Sequence, residues 1–195
     1  MKSLKIYFVG VGGQGNVLAS KLVGEAALLE NVPVALSETH GMAQRGGVVE
    51  STAVLGGALS PTISDGCADV LLAFEPLEAL RALNKIGKDS VVITSTAPIK
   101  PFSVRGDDSE YPSVESQIAY LKGKCARVIA FDAHTIAMEN KNPLGLNMVM
   151  LGALYASGLM PVSADAQRRA IEQNTKPAFL PQNLACFDAG LAAVK

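Results

Sequence analysis

The chain has no tryptophan, only 5% aromatic residues and 18% charged residues among its 195 positions. Seventeen basic side chains stand against eighteen acidic ones, for a formal net charge of -1. Without a basic surplus there is no electrostatic footprint for nucleic acid or an anionic membrane, so neither is expected as a partner. No hydrophobic run approaches the roughly 18 to 20 residues that span a bilayer. The opening Met1-Lys2-Ser3-Leu4-Lys5 leads at once into strand-forming residues and carries no secretory pattern, which sets a cytoplasmic expectation. Cysteine is scarce: Cys67, Cys125 and Cys186 are about 60 residues apart and form no C-x-x-C pair. That spacing builds neither a zinc site nor an iron–sulfur cluster from this chain alone, and the thiols read as reduced and buried or half-buried. The two histidines, His40 and His134, leave a metal site without an evident third ligand, and no serine lies in a G-x-S-x-G elbow.

What is abundant is aliphatic. Apolar residues make up 49% of the chain, mostly Ala, Val and Leu, an α/β composition of a length that suits one domain. A mean hydropathy of +0.26 is high for a soluble monomer and suggests apolar surface covered by another subunit. Periodicity predicts a strand at Lys5 to Val9, a helix to Leu29 and a strand at Pro33 to Ser37, a β-α-β order that implies a parallel sheet. Further strands are expected at Val48 to Leu55, Val70 to Phe74, Ser90 to Thr94 and Arg127 to Asp132. A helix from Pro76 to about Asn84 is stopped by Gly87, another spans Ser113 to Lys122, and residues 95–112 read as an irregular segment or short hairpin. The remainder is helical, at Thr135 to Asn140, Leu146 to Ser157, Ala164 to Asn174 and Gln182 to Val194, with Leu144 to Leu159 apolar nearly all round and therefore central. The expected fold is one three-layer α/β domain over residues 1–195, a mostly parallel sheet flanked by helices with a Rossmann-like first unit.

Two stretches organise this chain. Gly10-Val11-Gly12-Gly13-Gln14-Gly15 fits G-x-G-x-x-G between a strand and a helix, the context that motif requires. Such a turn lets backbone approach a ligand or a neighbouring chain closely, and the helix N-terminus favours an anion. Close strand-to-helix packing would use the same glycines. A dinucleotide site would place an acid about 20 residues on to hold a ribose. Glu38, 23 residues after Gly15, is near that spacing, yet it opens the dense run Glu38-Thr39-His40-Gly41-Met42-Ala43-Gln44-Arg45-Gly46-Gly47, which a ribose-binding turn does not need. Within that run Arg45, bounded by Gln44 and Gly46, is the strongest binding candidate, able to clamp a carboxylate or phosphate or to pair with a neighbouring subunit. His40 serves either as a proton shuttle or partner-facing ligand, or as a hydrogen-bonded loop histidine. His134 reads as a contact at a helix start, and Glu75 and Glu78 as acids complementing a helix dipole.

Taken together with Ala68-Asp69-Val70-Leu71-Leu72-Ala73-Phe74-Glu75-Pro76-Leu77-Glu78-Ala79-Leu80 and Asn147-Met148-Val149-Met150-Leu151-Gly152-Ala153-Leu154, the two stretches resemble, in order, the motifs of one family. It is the gamma subunit or gamma domain of the 2-oxoacid:ferredoxin oxidoreductases, and the H-G-M-A-Q-R-G-G wording is most similar to the beta subunit of indolepyruvate:ferredoxin oxidoreductase. The resemblance runs from residue 5 to about 193. It implies a subunit of a complex that oxidatively decarboxylates a 2-oxoacid with coenzyme A to acyl-CoA, carbon dioxide and reduced ferredoxin. Thiamine diphosphate, magnesium and iron–sulfur clusters are then expected in a larger partner subunit, with none in this chain. Gly10, Gly12, Gly13, Gln14, Gly15, His40, Met42, Gln44, Arg45 and Gly46 match the family pattern and are expected to face the partner or the coenzyme A side, with no chemical step assigned to any of them.

Overall fold

The computed structural model describes residues 3–40, 47–57, 60–99 and 111–194, with His40 as backbone only. The first apolar run is strand β1 (Leu4–Val11), with Ile6 and Phe8 packed in the core on one face and Tyr7 and Val9 in the core on the other. A strand buried on both faces belongs inside a sheet. With β2 (Val34–His40), β3 (Val48–Leu55), β4 (Ala68–Ala73), β5 (Ile86–Ser95) and β6 (Arg127–Phe131), it forms a six-stranded sheet in the order β2-β3-β1-β4-β5-β6. β1, β4, β5 and β6 are successively parallel, and only β3 runs against its neighbours.

The β-α-β expectation needs one correction. Helix α1 (Asn16–Leu29) does return the chain to β2 in the direction of β1, but β3 is inserted between the two and pairs antiparallel with both. Burial explains the choice. β3 offers Ala53, Val54 and Leu55, all buried, to both faces, so an interior place suits it. β2 carries Ser37, Glu38 and Thr39 and leaves Leu36 39% exposed, which an edge tolerates.

One face of the sheet packs against α1, α4 (Ala133–Glu139), α5 (Leu146–Ala156), α6 (Ala164–Asn174) and α7 (Leu180–Ala193). The other packs against α2 (Pro76–Arg81) and α3 (Val114–Lys122). As its sequence predicts, α5 is central: Leu146 through Tyr155 are all buried. It lies directly on α7, where a Cβ on Gly152 would sit 2.1 Å from the Phe187 carbonyl oxygen and one on Gly190 2.1 Å from that of Val149. Only hydrogen fits between those backbones.

Several boundaries differ from expectation, most of all around Gly87. The helix after Pro76 ends at Arg81 and continues as one 3-10 turn, Leu83–Lys85, while Gly87 lies inside β5. Gly87 is there for space, since its Cβ would meet the Gly66 carbonyl oxygen at 2.8 Å. β5 reaches Ser95, leaving of the expected irregular segment only its ends within the described residues. Three helices are capped by side chains: Ser113, Asp132 and Ser163 each accept the backbone N–H three residues on.

Candidate functional site

In a parallel sheet the carboxyl ends of the strands hold ligands, at the point where successive strands depart in opposite directions from the first. Here that point lies between β1 and β4. It is spanned by Gln14, only 8% exposed. The Gln14 side chain accepts from the Val11 N–H at 2.7 Å and donates through Nε2 to the Phe74 carbonyl at 2.8 Å, while the Phe74 N–H donates to Val9. Gly10 must be glycine beside it, because a Cβ there would stand 2.8 Å from Gln14 Oε1 and 3.0 Å from the Phe74 Cβ. The turn is therefore filled from within by the chain's own amide.

The neighbouring residues extend this centre. Gly15 takes a left-handed φ of 77° as it starts α1, and its missing side chain leaves room for Asn147, whose Nδ2 would be 2.6 Å from a Cβ. Asn147 comes from the first turn of α5, is 4% exposed, and accepts the Met148 N–H at 3.0 Å. Asn16 reaches the other way, donating to the Val49 carbonyl at 2.6 Å. The Gly12 N–H donates to the Gly47 carbonyl at 2.9 Å, and the register sets Val11 opposite Val48 and Gly10 opposite Val49. The antiparallel insertion of β3 is what brings the two glycine-rich stretches together.

A second buried group adjoins this edge. Glu75, fully buried, caps α2 by accepting the Glu78 N–H at 3.0 Å, and its other oxygen accepts from the Ile99 N–H at 3.3 Å and from the Tyr111 hydroxyl. One carboxylate thus holds both flanks of residues 100–110. Burial, and then that hydrogen bond, raise the Tyr111 phenol above its ordinary range. Glu78 is 1% exposed; one oxygen meets Arg81 at 2.6 Å and the other has no hydrogen-bond partner among the described residues. Burial raises the Glu78 pKa, the Arg81 guanidinium opposes this, and Glu75 and Glu50 add to it. The dipole reading of Glu75 and Glu78 holds for the cap but misses their burial. Nothing in a Glu-Pro-x-Glu pattern distinguishes an exposed cap from a buried clamp.

Of the expected site residues, Gly10, Gly12, Gly13, Gln14 and Gly15 form this turn. His40 ends β2 opposite Val49, with only its backbone described. Met42, Gln44, Arg45 and Gly46 lie outside the described residues. His134, the second residue of α4, is exposed. Glu38 pairs with Ser51 on β3 and is exposed, two strands from β1. At about 4.8 Å per strand, that puts the β2 backbone about 10 Å from β1, twice the separation in a unit where the two strands adjoin. Asn16 and Asn147, which the motif reading did not single out, complete the centre. A short amide beside a left-handed glycine was the signal available for Asn16; for Asn147, 132 residues from Gly15, there was none beyond its place in the fourth motif.

The family model described as pyruvate ferredoxin/flavodoxin oxidoreductase matches residues 5–193. The chain belongs to that family. It is 40% identical over 188 residues to the indolepyruvate oxidoreductase subunit IorB of Methanothermobacter thermautotrophicus, covering 96% of each chain. Among solved structures, the pyruvate oxidoreductase subunit PORC of Thermotoga maritima superposes with a TM-score of 0.73 at 22% identity, covering 100% of this chain and 98% of that one. A 2-oxoglutarate:ferredoxin oxidoreductase from Magnetococcus marinus gives a TM-score of 0.71 at 22% identity, with all of this chain matching 31% of that longer polypeptide. These two establish the fold, and the family membership agrees with the order of the four motifs. In the oxidoreductase family chain described here, Gln14, Gly47, Phe74 and Asn147, one from each motif, converge on a single turn.

Among the described residues no three His, Cys, Asp or Glu side chains are grouped to hold a metal ion. Cys67 is exposed, against the expectation of a buried or half-buried thiol, while Cys125 is intermediate and Cys186 buried. This donor set does not fit an iron–sulfur cluster. No described helix is long and apolar enough to cross a membrane.

Proposed function

We propose that this chain is the small, gamma-type subunit of a 2-oxoacid:ferredoxin oxidoreductase acting on an arylpyruvate such as indolepyruvate. The reaction converts the 2-oxoacid, coenzyme A and two oxidised one-electron ferredoxins to acyl-CoA, carbon dioxide, a proton and two reduced ferredoxins. Thiamine diphosphate, magnesium and the iron–sulfur clusters belong to a larger subunit. This chain's part is to present the edge formed by residues 10–15 and 38–47 to the partner's reaction centre, on the coenzyme A side, with Gln44 and Arg45 meeting an anionic or carbonyl group there. It works in the cytoplasm, as one domain over residues 1–195.

The observation that carries this reading is the convergence of all four family motifs on the Gln14 turn. An edge stiffened from within by Gln14, Asn16 and Asn147 holds backbone in fixed positions at a junction, which is what an accessory subunit supplies. The likeness to indolepyruvate subunits over nearly the whole chain favours the aryl substrate. A free-standing dinucleotide-binding protein is disfavoured by the internal filling of the turn and by the inserted β3.

Reconstitution with the thiamine-bearing subunit tests it. Ferredoxin or viologen reduction dependent on indolepyruvate and coenzyme A should require both proteins, with higher kcat/KM for indolepyruvate than for pyruvate or 2-oxoglutarate. Turnover by this chain alone, or a preference for 2-oxoglutarate, would contradict the assignment.

A further inference from the structure

A groove with exposed apolar walls lies beside the glycine turn. Three of the nine large hydrophobic side chains exposed among the described residues, Leu144 at 84%, Phe179 at 61% and Leu18 at 39%, line one groove of about 590 Å³. Its walls are the start of α1, the connection from α4 to α5, and the connection from α6 to α7. The lining includes the buried Asn147 and Met148. Asn147 also faces Gly15, so the groove is continuous with the turn.

The groove is built rather than fortuitous. Asn142 on the first connection donates to Asn183 on α7 at 2.8 Å, and Asn183 donates to Thr175 at 3.3 Å, so side-chain amides tie its walls together. Lys141 is held by its N–H to the Met138 carbonyl at 2.9 Å. Among the described residues, the only charged side chains in the lining are Lys141 and Lys176, with no Asp or Glu. A buried acceptor, Gln182 Oε1, has no hydrogen-bond partner among the described residues.

Those features define what can cover the groove. A second copy in a two-fold arrangement would bring four lysines together with no carboxylate from either lining, so self-pairing across this face is repulsive. A small ligand on the groove floor would leave the outward-standing Leu144 and Phe179 wet. We propose that this groove docks an acidic, apolar-faced segment of the larger subunit, continuing the contact made by the glycine-rich edge. Apolar side chains of that segment cover Leu18, Leu144 and Phe179, and a carboxylate meets each lysine. This rests on the subunit reading given above.

The test uses the full chain, and its association with the larger thiamine-bearing subunit is measured by surface-immobilised binding at two salt concentrations. L144D/F179D should unfold within a few degrees of wild type, since both side chains are exposed, yet bind more than 100-fold more weakly. K141E/K176E should bind at least tenfold more weakly and lose the salt dependence that wild type shows. If wild type associates and both variants match it within twofold, the groove is not the docking face and the subunit reading survives. If wild type itself fails to associate, the subunit reading falls first. A wild-type homodimer in sedimentation that L144D/F179D abolishes would assign the groove to a second copy and overturn the proposal.

Discussion

Two regions of this molecule depend on glycine for opposite ends. Where α5 crosses α7, Gly152 and Gly190 remove side chains so that two helix backbones meet with no side chain between them. At the carboxyl ends of β1 and β4, Gly10 and Gly15 remove side chains so that the amides of Gln14 and Asn147 can enter. The first is a backbone contact that fixes the core. The second is a polar centre that fixes an edge, and an edge is where a chain meets something else. The difference teaches that a glycine-rich turn after a first strand does not by itself make an anion site; what occupies the space the glycines leave decides its use.

The comparison breaks most completely at the helix crossing. Gly152→Ala forces a methyl into a carbonyl oxygen across an interface with no flexible neighbour, and should cost about 3 kcal/mol or more, read as a lower urea midpoint or failure to fold. Gln14→Ala comes next. It leaves the Val11 N–H and the Phe74 carbonyl without partners in a buried place, for about 2 to 4 kcal/mol, and should speed hydrogen exchange at the Val11 amide selectively. Gly15→Ala should cost about 1 to 2 kcal/mol from its left-handed backbone, plus the displacement of Asn147. Combining it with Asn147→Ala separates the two parts, since the double variant should lose about 0.5 to 1 kcal/mol less than the sum of the singles.

Glu78→Gln gives the smallest expected effect and the sharpest pH signature. Burial raises the folded pKa of Glu78 above its unfolded value, so the folded state holds its proton more tightly. This group's contribution to stability is therefore most favourable at low pH and declines as pH rises from the unfolded value through the folded one. The glutamine variant should gain on wild type as pH rises through that window and then keep a constant offset, measured by thermal unfolding across pH. An unchanged difference between the two proteins over the whole acid range would show that Glu78 is solvated in solution.

The fold was legible wherever one local signal sufficed. The all-round apolar run of α5 and the strands expected at Val70 to Phe74 and Ser90 to Thr94 stand as their sequence indicates. The insertion of β3 was not legible, because strand order depends on competition for interior places, which compares β2 with β3 and belongs to neither alone. Gly87 misled for a related reason. A glycine that ends a helix and one that yields to a passing carbonyl look alike until the carbonyl, here from Gly66, is seen. At the candidate site the motifs named stretches that meet at the Gln14 turn. The contacts that unite them join residues 33, 60 and 132 positions apart, and such pairings leave no periodic trace.

Calorimetric titration of the isolated chain with NAD and with ATP tests most directly whether Gln14 closes the turn. The filled turn predicts no saturable heat with either nucleotide up to millimolar concentration. Micromolar binding of either one, lost on adding bulk at Gly13 and unaffected at the groove beside Leu144, would contradict it.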